Sequence, residues 1–183
     1  MTFIESETIE LKSSVVADLC KEVIAFANTR GGTLYIGVED NGTVIGVDSA
    51  DRVTLQINNM VRDSIKPDIT MFVHYETQVI NDKQIIAVIV QEGTDRPYYL
   101  GSKGLKPSGV YVRNGTSTDP ASDTAIRKMI KETDGDSFET MRSLEQNLSF
   151  QAAEAQFAKR KVPYDAAKMQ TLGMVSSDDI YSN

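Results

Sequence analysis

Residues 25–40, Ala25-Phe26-Ala27-Asn28-Thr29-Arg30-Gly31-Gly32-Thr33-Leu34-Tyr35-Ile36-Gly37-Val38-Glu39-Asp40, decide the fold. Gly31-Gly32 ends a helix, because glycine accepts the left-handed conformation common after a helix C-terminus. Thr33 to Val38 is apolar on both faces, the pattern of a central strand. Asp40-Asn41-Gly42 signals a turn, and Thr43 to Val47 reads as the returning strand of a hairpin. A helix end, a glycine turn, a buried strand and an acidic strand tip follow one another.

Upstream, residues 7–13 alternate, with Thr8, Glu10 and Lys12 on one face and Ile9 and Leu11 on the other. That is a half-buried strand. Ser13 or Ser14 can cap a helix running to about Asn28. Its apolar stripe is Val16, Leu19, Cys20, Val23, Ile24 and Ala27.

Downstream, Asp48 or Ser49 caps a second helix over about 50–65, stopped by Lys66-Pro67-Asp68. Two strands, 69–80 and 84–91, flank Asn81-Asp82-Lys83. The stretch 93–109 is rich in glycine, proline and tyrosine and reads as an exposed loop. A short strand over 110–113 turns at Asn114-Gly115. Thr118 or Asp119 then caps a helix over about 121–132.

Composition shifts at Thr133-Asp134-Gly135-Asp136, which divides residues 1–135 from a helical extension over 136–183. The extension holds sparse apolar residues: Leu148, Phe150, Phe157, Tyr164, Leu172, Met174 and Ile180. It reads as short helices leading to further C-terminal domains of a longer protein. The predicted class is α+β, a mixed sheet flanked by two or three helices, with a small helical extension.

Composition narrows the function classes. The 183 residues are 40% hydrophobic and 25% charged, which suits a packed core. No apolar run of 18 residues or more occurs and no signal peptide is visible, so a cytoplasmic location away from membranes is expected. The single cysteine, Cys20, lies on the apolar helix stripe and excludes an internal disulfide. The formal net charge is −7, so any nucleic-acid surface must be local.

Four pieces resemble the Schlafen-type, Alba-like domain family. They are Glu5-x4-Glu10-Leu11-Lys12, then Ala25-Phe26-Ala27-Asn28-Thr29-x-Gly31-Gly32. Next come Ile36-Gly37-Val38-x-Asp40-x-Gly42 with Ile45-Gly46-Val47, and last Tyr111-Val112-Arg113-x-Gly115-x-Ser117-Thr118. Their order and spacing together are specific, and the resemblance covers about residues 5–125. It implies a bacterial nucleic-acid-binding regulatory module, a transcriptional regulator whose partner is DNA or RNA. Some relatives carry an ATP-binding label. Because the vertebrate proteins join two such lobes, the resemblance also implies a homodimer.

In the RNA-cleaving members of that family two glutamates and an aspartate form a metal-dependent nuclease site. By motif position these fall on Glu5, Glu10 and Asp40. Carboxylates suit hard ions such as Mg²⁺ and Mn²⁺, which neutralise the phosphoryl group and lower the pKa of bound water. Positions 5 and 10 are an odd number apart, so convergence needs a turn or bulge near Glu5 to Glu7. Asp40 also reads as an ordinary turn residue. The resemblance therefore implies, as an alternative function, a metal-dependent ribonuclease.

The basic candidates are Lys12, Arg30, Lys103, Lys106 and Arg113. Arg30 reads equally as a helix-dipole partner or a phosphate contact. Arg113 reads equally as binding or scaffold. Lys103 and Lys106 share their loop with Tyr98 and Tyr99, a basic and aromatic mixture able to hold single strands. No zinc site is expected, since one cysteine and one histidine, His74, cannot supply the ligands. No Gly-x4-Gly-Lys-Ser/Thr loop supports ATP binding. A third reading is a nucleotide-sensing or protein-interaction module.

Overall fold

The computed structural model describes residues 3–133, 150–162 and 165–171. The chain divides into two compact units, residues 1–133 and 134–183. The first unit is α+β, as its sequence predicts. Its main sheet has the order β1-β2-β5-β4. Here β1 is Ile9–Lys12, β2 is Gly32–Ile36, β4 is Val73–Ile80 and β5 is Lys83–Val90. The pair β1–β2 is parallel, while β2–β5 and β5–β4 are antiparallel, so the sheet is mixed.

Two helices pack on one face. They are α1 (Leu19–Ala27) and α2 (Ala50–Ser64). Leu34, Ile36, Ile86, Val88 and Val90 of the sheet meet Leu19, Val23, Ile24, Phe26, Ile57 and Val61 there. Phe3, Leu11, Val38 and Ile85 form a smaller cluster, into which Tyr35 and Ile80 pack. A strand buried on both faces must place its polar residues in the interior too, and Glu10 accordingly is buried. The expectation of a half-buried β1 was too modest.

The first helix is shorter than predicted. It begins at Leu19, after Asp18, and not at Ser13 or Ser14. Val15 and Val16 precede it and pack against the core; their β-branched side chains disfavour the helical start. At the other end Asn28 is the C-cap and Gly31 takes φ +75°. A side chain at Gly31 would meet the Val90 carbonyl at 2.6 Å, and one at Gly32 the Phe26 ring at 2.4 Å. The glycine pair therefore ends the helix and lets strand and helix touch.

The predicted return strand over 43–47 does not form. The turn itself is present, with Gly42 N donating to the Glu39 carbonyl at 2.8 Å. Beyond it only Val38 and Val44 bridge. Gly37 and Gly46, at φ +97° and +81°, bend the chain out of a ladder, and the Gly37 carbonyl accepts from both Ile45 and Gly46.

The loop over 93–109 is more structured than its composition suggests. It contains β6 (Tyr99–Leu100), which pairs antiparallel with β3 (Ile65–Lys66). Tyr98 is fully buried, so it is a core residue and not a stacking platform. Next come β7 (Tyr111–Asn114) and β8 (Ser117–Pro120), an antiparallel hairpin closed at the predicted Asn114-Gly115 turn. The segment 117–120 is thus a strand, and α3 (Asp123–Thr133) starts later than the expected cap at Thr118 or Asp119.

In the second unit α4 (Gln151–Lys159) and α5 (Ala166–Thr171) are short helices, as its sparse apolar pattern predicts. Leu148, Tyr164, Leu172, Met174 and Ile180 lie outside the described residues. Among the described residues no helix is long and apolar enough to cross a membrane.

Candidate functional site

Two charged regions account for the predicted site residues. The first is built under α1. Arg113 lies on β7 with its side chain wholly buried. Its Nη1 donates to Glu10 Oε2 at 2.8 Å, to Thr118 Oγ1 at 3.0 Å and to Glu22 Oε2 at 3.2 Å. Its Nη2 donates to the Ser6 carbonyl at 2.8 Å. The guanidinium carbon sits 4.9 Å from the centre of the Phe26 ring. One arginine therefore ties β7 to β1, α1 and the N-terminal turn.

Local structure explains this convergence. Arg113 and Thr118 face each other in the β7–β8 hairpin, so the tight turn delivers both side chains together. Glu10 arrives from β1 beside Leu34, on the face covered by α1. Glu22 comes from the first turn of α1, and Thr118 donates its hydroxyl to the same Glu22 oxygen that Arg113 approaches. Lys12, two residues on from Glu10 and hence on the same face, bonds the other Glu10 oxygen and the Leu11 carbonyl.

The electrostatics follow from burial and pairing. Burial pushes the Glu22 carboxyl above its ordinary range and the Glu10 charge adds to that. The Thr118 hydrogen bond, Lys12 and Arg113 oppose the rise without cancelling it. For Lys12, burial works against the charged form. The hydrogen bond to Glu10 and the charges of Glu10, Glu22 and Glu5 overcome it and lift the ammonium above its usual value.

The expected turn upstream of β1 is present. Ser6 N donates to the Ile9 carbonyl at 2.9 Å, and Glu5 comes within electrostatic reach of Lys12. Asp40 is elsewhere, exposed on the turn after β2, where it lines an open concavity with Ser13, Glu39 and Asn41. Glu5, Glu10 and Asp40 thus do not form one ligand set here. Among the described residues no three acidic, histidine or cysteine side chains gather closely enough to hold a metal ion. Glu10 has both oxygens engaged by cations. This arrangement does not fit a divalent ion.

Arg113 is likewise not where a phosphate contact would be. Its buried guanidinium serves the protein interior, which corrects the reading of it as a nucleic-acid contact. Cys20 is buried and His74 is exposed on β4, in keeping with core and surface roles.

The second region is exposed. Lys103 and Lys106 project from the segment between β6 and β7, which is folded upon itself. Lys103 N and Gly104 N both donate to the Leu100 carbonyl at 2.9 Å, and Gly109 N donates to that of Lys106 at 2.8 Å. Gly109 lies so near the Gly104 carbonyl that a side chain there would meet it at 2.2 Å. Neither lysine forms an ion pair among the described residues. Arg30 is also on the surface, its side chain 77% exposed and 3.8 Å from the Glu7 carboxylate.

Sequence reasoning missed Glu22, Thr118 and Asn28. Glu22 carried a signal: nearly every other residue of α1 is buried, so a glutamate among them needs a partner. Asn28 is buried and fully satisfied. Its Nδ2 donates to the carbonyls of Tyr98 at 2.9 Å and Tyr111 at 3.0 Å, and its Oδ1 accepts from Tyr98 N at 2.7 Å. It anchors both ends of the segment that carries the two lysines.

Comparison with known proteins agrees with this architecture. A family model described as Schlafen, AlbA_2 matches residues 5–122. Among solved structures, the DIP2311 protein of Corynebacterium diphtheriae is similar at a TM-score of 0.53 and 16% identity, over 96% of this chain and 34% of that one. This chain thus spans about a third of the DIP2311 chain. A second similar structure is the N-terminal domain of a protein of Nitrosomonas europaea named for its relation to the ATP-dependent DNA helicase RecG. It has a TM-score of 0.48 and 29% identity, over 62% of this chain and 82% of that one. No curated protein matches the chain.

Proposed function

We propose that this chain, which belongs to the Schlafen, AlbA_2 family, is a nucleic-acid-binding regulatory module that holds a phosphate backbone through Lys103 and Lys106, with Arg30 as a further cation. The observation that carries the reading is the contrast in how its cations are used. Lys12 and Arg113 are consumed by internal carboxylates. Lys103 and Lys106 are held outward, unpaired among the described residues, on a segment fixed by its own backbone bonds and by Asn28. A fixed, desolvation-free pair of ammonium groups suits phosphate oxygens, which bind by charge and counterion release. Tyr99, half-buried on β6 at the start of that segment, packs against the cluster around Val110, so the contact rests on charge more than on stacking.

The ribonuclease reading asks more of the chain. Glu10 would have to give up Lys12 and Arg113 before it could take a metal ion. Regulatory binding asks for no rearrangement and is therefore preferred.

The test is a binding titration of the full chain against labelled single-stranded RNA, tRNA and duplex DNA over a salt series, with Mn²⁺ or with EDTA. Affinity should fall linearly on a log–log salt plot. Lys103→Ala/Lys106→Ala should weaken binding by about tenfold or more and flatten the salt slope by about one per lost contact. Binding that ignores both salt and the double variant would sink the proposal. Mn²⁺-dependent cleavage lost in Asp40→Ala would replace it with the nuclease reading.

A further inference from the structure

The two edges of the main sheet differ. At one edge β1 has four residues; at the other β4 has eight, Val73–Ile80. Asn81 and Asp82 form the tight turn between β4 and β5, both with positive φ, so Ile80 and Lys83 are a hydrogen-bonded pair. The backbone groups of Ile80, Gln78, Glu76 and His74 therefore face β5. Those of Val79, Thr77, Tyr75 and Val73 face outward. No strand pairs with them among the described residues.

Natural edges of this length carry protection such as lysine, proline or a bulge. The eight residues of β4 hold no lysine and no proline, and their register with β5 is unbroken from Val73 to Ile80. Val79, on this edge, is one of the most exposed apolar side chains of the described chain at 65%, and Met71 at 83% lies in the 3-10 turn just before the strand.

We propose that β4 is the interface between two copies of this chain, paired edge to edge and antiparallel about Tyr75. The strand is complementary to itself in that register. Tyr75 lies opposite Tyr75 of the second copy, and Val73 opposite its Thr77, as hydrogen-bonded pairs using the outward backbone groups. His74 lies opposite Glu76 of the second copy, and Glu76 opposite its His74. These are non-hydrogen-bonded pairs, where side chains approach most closely. Each sets an imidazole donor against a carboxylate, twice by symmetry. The neighbouring register about Thr77 sets Glu76 against Gln78 and offers no opposite charge, so the pairing about Tyr75 is the one selected. An isologous contact of this kind closes on itself and does not propagate.

The experiment is sedimentation equilibrium on the full chain, with circular dichroism to confirm folding. The wild type should form a dimer. His74→Glu sets like charges opposite each other at both positions and should raise the dimer dissociation constant at least about tenfold. The charge swap His74→Glu/Glu76→Lys should restore it. Both residues are exposed, so the changes leave the core untouched. A wild-type chain that is monomeric throughout the micromolar range would overturn the proposal. So would a dimer indifferent to His74→Glu, or a swap that fails to restore it.

Discussion

Arg113 and the Lys103–Lys106 pair are both cationic, and they use the charge in opposite ways. Arg113 is stripped of water and surrounded by Glu10, Glu22, Thr118 and the Ser6 carbonyl. The lysines keep their water and touch no carboxylate among the described residues. A desolvated charge must be matched on the spot, so it organises the fold. A solvated one is free to meet a ligand. The contrast teaches that net charge, here −7, says little about binding until each charge is sorted by burial.

The strongest way to break the comparison is to remove Arg113. Arg113→Ala leaves Glu10 and Glu22 buried without their shared partner, and unfolding in urea should show a loss of about 3–5 kcal/mol. Arg113→Lys should recover only part of it, because an ammonium cannot reproduce the fork that reaches Glu10 and the Ser6 carbonyl together. A loss below about 1 kcal/mol would mean that the cluster is solvated and the contrast false.

Asn28 connects the two regions and should rank next. Asn28→Ala strands two carbonyls and one N–H in the interior and should cost about 2–3 kcal/mol in the same assay. It should also loosen the segment bearing the lysines, seen as faster amide exchange at Lys103 and Gly104. Unchanged exchange would show that this segment needs no anchor.

Lys103→Ala/Lys106→Ala sits at the other extreme. Its stability should stay within about 0.5 kcal/mol of wild type while binding falls. A large stability loss would erase the distinction between the two regions.

The smallest expected effect concerns pH. Burial holds the Glu22 carboxyl above its ordinary value of 4.5, so the folded chain binds that proton more tightly than the unfolded chain does. The stability it contributes is full below pH 4.5 and is lost as pH rises through the folded-state value. Comparing wild type with Glu22→Gln, the wild type should lose ground as pH climbs from 4.5 through the folded-state value and level off above it. A difference that stays flat would place Glu22 in solvent.

Much of the fold was legible because it rests on local signals. The glycine pair at 31–32, the apolar run of β2 and the Asn81-Asp82 turn act within a few residues. The errors fell where distant partners decide. Ser117-Thr118-Asp119-Pro120 has little strand propensity beyond that of Thr118 and becomes β8 because β7 offers a ladder. Ile65-Lys66 and Tyr99-Leu100 become strands only by meeting each other. For the site, parity correctly set Glu10 and Lys12 on one face of β1. It could not show that Arg113, 103 residues from Glu10, would take the second Glu10 oxygen. Asp40 illustrates the converse, a motif position whose local turn leaves it apart from the other acids.

Asn28 also sets an order in time. Its partners lie 70 and 83 residues further along the chain, so its three bonds close only when Tyr98 and Tyr111 have arrived. While the chain is being made, the residues of α1 and β2 are joined long before that. The amide at the end of α1 must stay hydrated until β7 emerges. Contacts this distant slow the search for the native state. Sealing of the first unit is therefore a late event, and a nascent chain stopped short of Tyr111 carries an unfinished helix end into the cell.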